Sequence, residues 1–581
     1  MSDAGTRVTV FGWVDRRRDM GGLIFLDVRD YSGILQVVVD PNAAPDAHTA
    51  AHRVRLEWVV RVDGVIQRRP EGSENPNLDT GVVELRASEF TVLSAAKPTP
   101  FPVNEDTDVD EQVRLRYRYL DLRRERLQRN LRARARFIAE IRMAMVAQGF
   151  VEIETPMLIR ATPEGARDYL VPSRLSRGSF YALPQSPQLY KQLCMVAGYD
   201  RYFQIARCMR DEDLRADRQP EFTQLDFEMS FVDEEDVFAA LEAALPSAWN
   251  ACRFIGAPLT APFPRLTWAE AMDSYGVDKP DTRFGLLLRN LTEVVRSSSF
   301  RVFSETIAKG GIVKGICVVG GEDLTRSEIE GQLTDIARGP GAKGLAYLYK
   351  RADGWQGSIA KFFTPAELEG IGTAMDARDG DCVLMVADEP HIVAAALGAV
   401  RGHLGRARNL ADETRRDFVW VTDFPMFERS AETGEITPAH HPFTMIKPED
   451  VDLLERDPLA VRSRAYDIVV NGREVGSGSI RITDPDIQRR VFAAIGIDAD
   501  TANHRFGFLL DAFGYGVPPH GGCAPGIDRL VMEGLGEENI RDVIAFPKNQ
   551  QAQELMTDAP APVDAPVLRE LGISIAKPPR E

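Results

Sequence analysis

Residues 210–222 read Arg-Asp-Glu-Asp-Leu-Arg-Ala-Asp-Arg-Gln-Pro-Glu-Phe. An arginine set among carboxylates suits a nucleoside triphosphate. Arg210 stays charged at any pH a protein meets, and its planar fork fits phosphate oxygens. Phe222 offers a ring on which adenine can stack. Alone, the stretch reads equally well as a charged hairpin loop, so its weight comes from its surroundings. Downstream, residues 521–529 read Gly-Gly-Cys-Ala-Pro-Gly-Ile-Asp-Arg. Glycines let a backbone approach a ligand closely, and Arg529 opens a helix there. Upstream, residues 120–148 carry apolar positions at helical spacing and end on Gly149. Phe150-Val151-Glu152-Ile153-Glu154-Thr155-Pro156 follows as an extended strand stopped by proline. Strands and helices then alternate as far as Trp268.

The flanks differ in character. Residues 6–95 alternate apolar and polar positions in short runs broken by Gly and Asp, the pattern of a small all-β barrel. Its segment Gly12-Trp13-Val14-Asp15-Arg16-Arg17-Arg18-Asp19 leads into Leu23-Ile24-Phe25-Leu26-Asp27. A basic, aromatic barrel face resembles an OB-fold. Phe25 could stack on an unpaired base, and Gln36 could read a base edge. In isolation Phe25 reads as core at least as readily. Residues 96–119 read as a linker. From 275 to 408 the chain is richer in Gly and Ala and poor in polar constellations, and reads as an inserted α+β domain. We therefore expect a multidomain α+β protein: barrel 1–95, linker 96–119, core 120–274, insert 275–408, core again 409–550, and a peripheral extension 551–581.

Bulk properties exclude several classes. The chain has 581 residues, 44% hydrophobic and 27% charged, as soluble multidomain proteins do. No apolar run approaches the roughly 20 residues of a membrane span, and residues 1–14 lack a leader pattern. A cytoplasmic protein with no membrane association is expected. Six cysteines form no CxxC pair, so buried free thiols are expected rather than zinc or disulfides. The net charge of −17 argues against a general nucleic-acid binder. The arginine-dense run from Arg114 to Arg142 leaves two readings open: a polyanion-facing surface, or a helix laced with ion pairs.

Together and in this order, the three stretches resemble the signature motifs of class II aminoacyl-tRNA synthetases. Motif 1 would be the helix into residues 149–156, whose proline typically lies at a dimer interface. Motif 2 would be residues 210–226, with Met209 where the family often has Phe, and motif 3 residues 522–529. The order barrel, core, insert is similar to the bacterial-type aspartyl-tRNA synthetases of subclass IIb. So are the strings Ala161-Thr162-Pro163-Glu164-Gly165-Ala166-Arg167-Asp168, Leu183-Pro184-Gln185-Ser186-Pro187-Gln188-Leu189-Tyr190-Lys191 and Ala439-His440-His441-Pro442-Phe443-Thr444. The barrel lacks an opening stretch that the family commonly has before Val8, and the insert looks like the family's GAD domain.

The resemblance implies a homodimer that uses ATP and Mg²⁺ to attach L-aspartate to tRNA(Asp) through an aspartyl-adenylate, with tRNA(Asn) as a further acceptor to test. It implies that Arg210 holds the α-phosphate, that Arg529 grips the γ-phosphate side and packs on adenine opposite Phe222, and that Asp467 and Glu474 ligate Mg²⁺. Asp211, Glu212, Gln219, Gly526, Ile527 and Asp528 would complete the ATP site. Arg481 would take the substrate side-chain carboxylate bidentately in a positive pocket. Lys191 is oriented there by Asp226, and His441 adds charge if protonated. Glu164 and Gln188 would receive the substrate ammonium, and Ser186 would also bind the aspartate. Arg18, Phe25 and Gln36 would meet the anticodon. Met20 and Gly81 would decide between the two tRNAs, and the apolar Met20 leans towards a strict enzyme. A lysyl enzyme is opposed by the cations Arg481 and Lys191, and an asparaginyl one by the insert. A non-catalytic tRNA-binding paralogue would be expected to have lost Arg210, Glu474 or Arg529, and all three are present.

Overall fold

The computed structural model describes residues 3–161, 166–212, 216–430 and 433–576. They form two compact units, Met1–Arg129 with Glu554–Ala559, and the remainder.

In the first unit, Arg7–Met20, Leu23–Arg29, Ile34–Val39, Val83–Ser94 and Val59–Arg68 hydrogen-bond in that order into a closed barrel. Closure leaves no sheet edge for intermolecular pairing. Alternation decides the faces. Ile24, Leu26 and Val28 turn inward with Val14, Val37 and Val39, so Phe25 and Asp27 turn outward. The helix Pro45–His52 buries Ala47 and Ala51 on this core.

Much of the arginine run is taken up by ion pairs. In the first unit Arg114 and Arg118 converge on the buried Asp121 at 3.2 and 2.6 Å, and Arg123 meets Glu57 at 2.8 Å. In the second, Arg134 meets Asp528, and Arg142 meets Glu152 at 2.9 Å. The ion-paired reading is thus the one the structure favours.

The second unit is built on an eight-stranded sheet in the order Arg265–Thr267, Phe418–Thr422, Ala465–Val470, Arg473–Ile480, His520–Pro525, Glu221–Ser230, Arg201–Met209, Val151–Glu152. Its interior pairs are antiparallel and its two outermost pairs parallel. The extended segment after Gly149 contributes only two strand residues. Ile153 still bonds the Phe203 carbonyl at 3.0 Å, and Pro156 has no N–H with which to continue. The helix Glu125–Ala147 lays Phe137, Ile141 and Met145, four residues apart, on one face of the sheet. The helix Glu234–Ala251, capped by Asp233, stacks Phe238 on Trp420 at 4.2 Å between ring centroids.

The chain leaves this sheet after Arg265–Thr267 and returns in Phe418–Thr422. These strands lie side by side, Arg265 opposite Trp420. Between them a separate five-stranded sheet carries an apolar cluster on each face: Arg289–Asn290, Ile312–Val318, Cys382–Asp388, Ala346–Arg351, Gly354–Gln356.

Glu242 fastens the return. Its carboxylate accepts from Trp420 Nε1 at 2.9 Å and the Phe263 amide at 3.0 Å, and pairs with Arg265. Glu242→Ala strands two buried donors and leaves Arg265 with Glu235 as its remaining carboxylate partner, a loss on the order of 3 kcal/mol. The expected outcome is a lower urea midpoint for the tryptophan fluorescence transition. An unchanged midpoint would contradict this account.

Candidate active site

Alternation along Glu221–Ser230 sorts its side chains. Leu225, Phe227 and Met229 enter the main core. Asp226 and Glu228 point to the other face and are wholly buried. Burying two carboxylates requires cations. Lys191, on the helix Gln188–Val196, places Nζ 3.0 Å from Asp226 Oδ2 and 3.3 Å from Glu228 Oε2. Arg481, just past the strand Arg473–Ile480, donates Nε and Nη2 to Glu228 at 2.8 and 3.1 Å. Its Nη1 donates to Ser479 Oγ at 2.6 Å and His441 Nε2 at 2.7 Å. Glycines make room: a Cβ at Gly522 would overlap Glu228, and one at Gly478 the Tyr466 ring.

Two expectations change here. The pocket is charge-balanced rather than positive, with two cations against two carboxylates. One edge of the Arg481 fork is taken by Glu228 and Nη1 by Ser479 and His441, so a second carboxylate on the Nη1/Nη2 end would have to displace those two neutral partners. The sequence reading missed Glu228. Its signal was the polar–apolar alternation Gln224-Leu225-Asp226-Phe227-Glu228-Met229-Ser230, which sets Asp226 and Glu228 on one face. Burial alone would raise the Glu228 carboxyl, but Arg481 and Lys191 outweigh it and hold it down to about 2. Asp226 is shifted upward, because burial outweighs Lys191. His441 is held well below the ordinary histidine value, by burial first and then by Arg481. It is therefore a neutral acceptor here rather than an added charge.

Around the second pair of arginines, the Arg210 guanidinium carbon lies 5.2 Å from the Phe222 ring centroid, and Arg210 Nε is buried with no hydrogen-bond partner among the described residues. Arg529 donates to the Asp217 and Glu474 carbonyls at 3.2 and 2.8 Å. Arg210 is the cation over Phe222. Asp211 and Glu212 are exposed, and Arg218 meets Glu212 at 3.3 Å. Gln188 Nε2 is buried without a partner among the described residues. Ser186 lines a cavity of about 180 Å³ with Ile159, Arg160 and Tyr190. Glu164 lies outside the described residues.

Four residues expected at the ATP site have structural partners. Gln219 spends both ends of its amide on the Lys548 main chain, at 2.7 and 3.0 Å. Asp528 binds Arg134 and the Thr223 amide, at 2.7 Å for the latter, and so docks the helix Ile527–Leu535 on the sheet. Ile527 is fully buried in the main core. Gly526 bonds the Val475 carbonyl at 2.6 Å.

Asp467 and Glu474 come together through a bulge. Ile468 faces Gly476 but Val469 faces Glu474, so Val475 is the extra residue and Glu474 shares the Asp467 face. Among the described residues Asp467 Oδ1 is buried without a hydrogen-bond partner, 3.4 Å from His440 Nε2. Burial and then the charge of Glu474 raise the Asp467 carboxyl. Two adjoining hard oxygen donors, one unsatisfied, fit Mg²⁺, which takes one or two carboxylates and completes its shell with phosphate and water.

In the barrel, Phe25 is half-buried on the outer face between Arg18 and Val38. It is not part of the barrel core. Arg18 Nη2 reaches Gln36 Oε1 at 3.2 Å, and Gln36 Nε2 donates to Glu84 at 2.9 Å. Met20 is exposed beside the Gly21-Gly22 turn. Gly81 sits in a turn so tight that a Cβ would overlap the Asn75 carbonyl.

An antiparallel sheet bearing paired arginines and a carboxylate pair, joined in sequence to an OB-type barrel, defines a class. Residues 110–550 match the family model "tRNA synthetases class II (D, K and N)", and residues 8–93 match "OB-fold nucleic acid binding domain". The chain belongs to the class II tRNA synthetases. Within that class it is 53% identical over 580 residues to the aspartate–tRNA(Asp/Asn) ligase of Rubrobacter xylanophilus, covering 100% of this chain and 96% of that one. It is 50% identical over 578 residues to the aspartate–tRNA ligase of Geobacillus kaustophilus, covering 99% and 98%. In fold it resembles asparaginyl-tRNA synthetase from Pyrococcus horikoshii (TM-score 0.59, 18% identity, covering 94% and 95%). It also resembles aspartyl-tRNA synthetase from Entamoeba histolytica (TM-score 0.57, 20% identity, covering 94% and 89%). Among the described residues no helix is long and apolar enough to cross a membrane.

His441 tests the electrostatics directly. Its ¹⁵N resonances should remain those of a neutral imidazole at pH 6, below the ordinary value of about 6.5. Protonation at or above that value would refute the balanced-pocket account.

Proposed function

We propose that this protein activates L-aspartate with ATP and transfers it to tRNA(Asp). The observation that carries this reading is the pair of buried cations, Lys191 from the helix Gln188–Val196 and Arg481 from the sheet whose strands also carry or lead into Arg210, Asp467 and Glu474. A substrate carboxylate would lie on the Nη1/Nη2 end of Arg481, with Lys191 beside it, while Asp226 and Glu228 keep both cations in place. Glu164, Ser186 and Gln188 would serve the α-amino and α-carboxylate groups. The buried, unpartnered Nε2 of Gln188 supports a ligand there.

The α-carboxylate attacks the ATP α-phosphate and pyrophosphate leaves. Two anions must approach, so the protein's task is positioning and charge stabilisation. Arg210, whose Nε lacks a partner, would hold the α-phosphate, and Phe222 would stack on adenine. Arg529, anchored on two carbonyls, would hold the far phosphates. Magnesium held by Asp467 and Glu474 would neutralise phosphate charge. Gln219, Gly526, Ile527 and Asp528 act at one remove, by fixing the strand and helix that present Phe222 and Arg529. A terminal ribose hydroxyl of tRNA then takes the aspartyl group from the adenylate.

The outward Phe25, with Arg18 and Gln36, would meet the anticodon loop, where stacking on an aromatic ring is the usual means of holding a splayed base. Exposed apolar side chains at Met143, Val146, Val151 and Phe231 support a homodimer through the motif 1 region. A cytoplasmic location suits these substrates. A second reading, in which tRNA(Asn) is also charged, is favoured by the (Asp/Asn) designation of relatives about half identical to this chain, such as the enzyme of Geotalea uraniireducens at 50% over 571 residues. The apolar Met20 points the other way.

Aspartate-dependent ATP–pyrophosphate exchange tests the core claim, and its absence with Mg²⁺ present would overturn it. Arg481→Lys keeps the charge but loses the fork. It should lower kcat/KM for aspartate by about 100-fold while leaving KM for ATP within about threefold. Charging purified tRNA(Asp) and tRNA(Asn) side by side at matched salt decides between the strict and dual enzyme.

A further inference from the structure

The segment that leads into the inserted domain enters the carboxylate pair's surroundings. Lys279 places Nζ 2.9 Å from Glu474 Oε2. The segment is held at several points. Gly276, in the left-handed region at φ 73°, ends the helix Trp268–Tyr275, and a Cβ there would overlap the Ala394 carbonyl of the helix Pro390–Ala407. Arg401 of that helix is buried. It donates to the Asp281, Phe284 and Gly285 carbonyls at 2.9, 2.8 and 2.9 Å. Its guanidinium lies 4.9 Å from the Tyr275 ring centroid and 4.1 Å from that of Phe284. Arg283 closes onto Asp281 at 2.8 Å and Glu413 at 3.1 Å. The main chain of 279–281 runs against Gly472, the turn between the strands that carry Asp467 and Glu474. A lysine on so fixed a peptide reaches Glu474 because its backbone is built to put it there.

We propose that Lys279 is a further residue of the ATP site: it occupies the Glu474 carboxylate as a resident cation when no metal is bound, and turns to the departing phosphates when ATP and its metal enter. This deepens the aspartate–tRNA ligase reading and rests on it. An ammonium on a flexible stem is a point charge that can change partners. It and a divalent cation compete for the same oxygen, so the free enzyme holds metal weakly until a nucleotide supplies the ammonium with an alternative anion. The inserted domain thereby acts on activation chemistry through one side chain at its entry.

The test compares wild type, Lys279→Met and Lys279→Arg, all with unchanged thermal midpoints. Mn²⁺ alone is titrated into free enzyme and followed by electron paramagnetic resonance, and KM values are taken from pyrophosphate exchange. Lys279→Met should bind Mn²⁺ about five- to tenfold more tightly without nucleotide and raise KM for ATP by about tenfold, with KM for aspartate unchanged. Lys279→Arg should restore KM for ATP to within about threefold. Unchanged Mn²⁺ affinity and KM for ATP would reduce the contact to an ordinary exposed ion pair and overturn the proposal. Weaker Mn²⁺ binding in Lys279→Met would also overturn it, because Lys279 would then be supporting the metal ligand rather than competing for it. Absence of exchange in the wild type would instead remove the parent reading, while the Mn²⁺ titration still reports on Lys279.

Discussion

Glu228 cannot be buried without Arg481 and Lys191, and much of the second unit's architecture follows from that. Glu228 faces Gly522, and Gly522 faces Ser479 on the next strand. Arg481, two residues beyond Ser479, reaches back across the bare glycine to form its two bonds. Lys191 descends on the same carboxylate from a helix. The quartet is feasible because strands 221–230, 520–525 and 473–480 are neighbours in one register and because positions 478 and 522 lack side chains. Each cation satisfies a carboxylate and still retains donors. A buried ion cluster is weak evidence for stability. Its value here is orientation, since a guanidinium pinned on one edge presents the other at a fixed angle.

That geometry also separates what the sequence made legible from what it did not. Periodicity sufficed for the barrel and the long helix up to Gly149, since these depend on local alternation and turn chemistry, whereas the inserted α+β domain between 275 and 408 showed only as a shift in composition. The motif residues Arg210, Phe222, Lys191 and Asp226 do cluster with their expected neighbours. The misreadings share one cause: a motif gives residue types, not directions. Gln219 and Asp528 look like ligand contacts because they are polar within a motif, yet their hydrogen-bonding capacity is spent on Lys548, Thr223 and Arg134. Ile527 is in the motif because the helix must enter the core. The positive pocket was an error of the same sort. Cations stand out in a string, whereas the carboxylate that balances them lies more than 250 residues from Arg481 in sequence.

The acid balance of the chain bears on the barrel similarly. A net charge of −17 repels a polyanion at long range, so any grip on tRNA must be local and partly apolar. Alternation turns Phe25 outward, and the Arg18–Gln36–Glu84 chain of bonds fixes polar groups beside it. Those bonds lower the entropy lost when a base is bound, because the side chains are already ordered. They also mean that Gln36 must surrender a partner to read a base edge, whereas Phe25 surrenders nothing. In the proposed recognition of an anticodon, stacking would therefore be available at least cost, and edge contacts would be the part that can discriminate.

The insertion obeys a similar economy. Strands 265–267 and 418–422 are neighbours in parallel, a pairing that needs a long crossover in any case. Lengthening a crossover costs little, since closure entropy grows only slowly with loop length. A folded domain can therefore be housed there without disturbing register, provided its entry and exit are fixed. Arg401 and Arg283 fix them, on the Asp281, Phe284 and Gly285 carbonyls and on Asp281 and Glu413. Once the entry peptide is rigid and runs along the 471–472 turn, a side chain placed on it inherits a defined position relative to the Asp467 and Glu474 strands. The point at which the sheet tolerates interruption is thus also a point from which the interrupting domain can reach the chemistry.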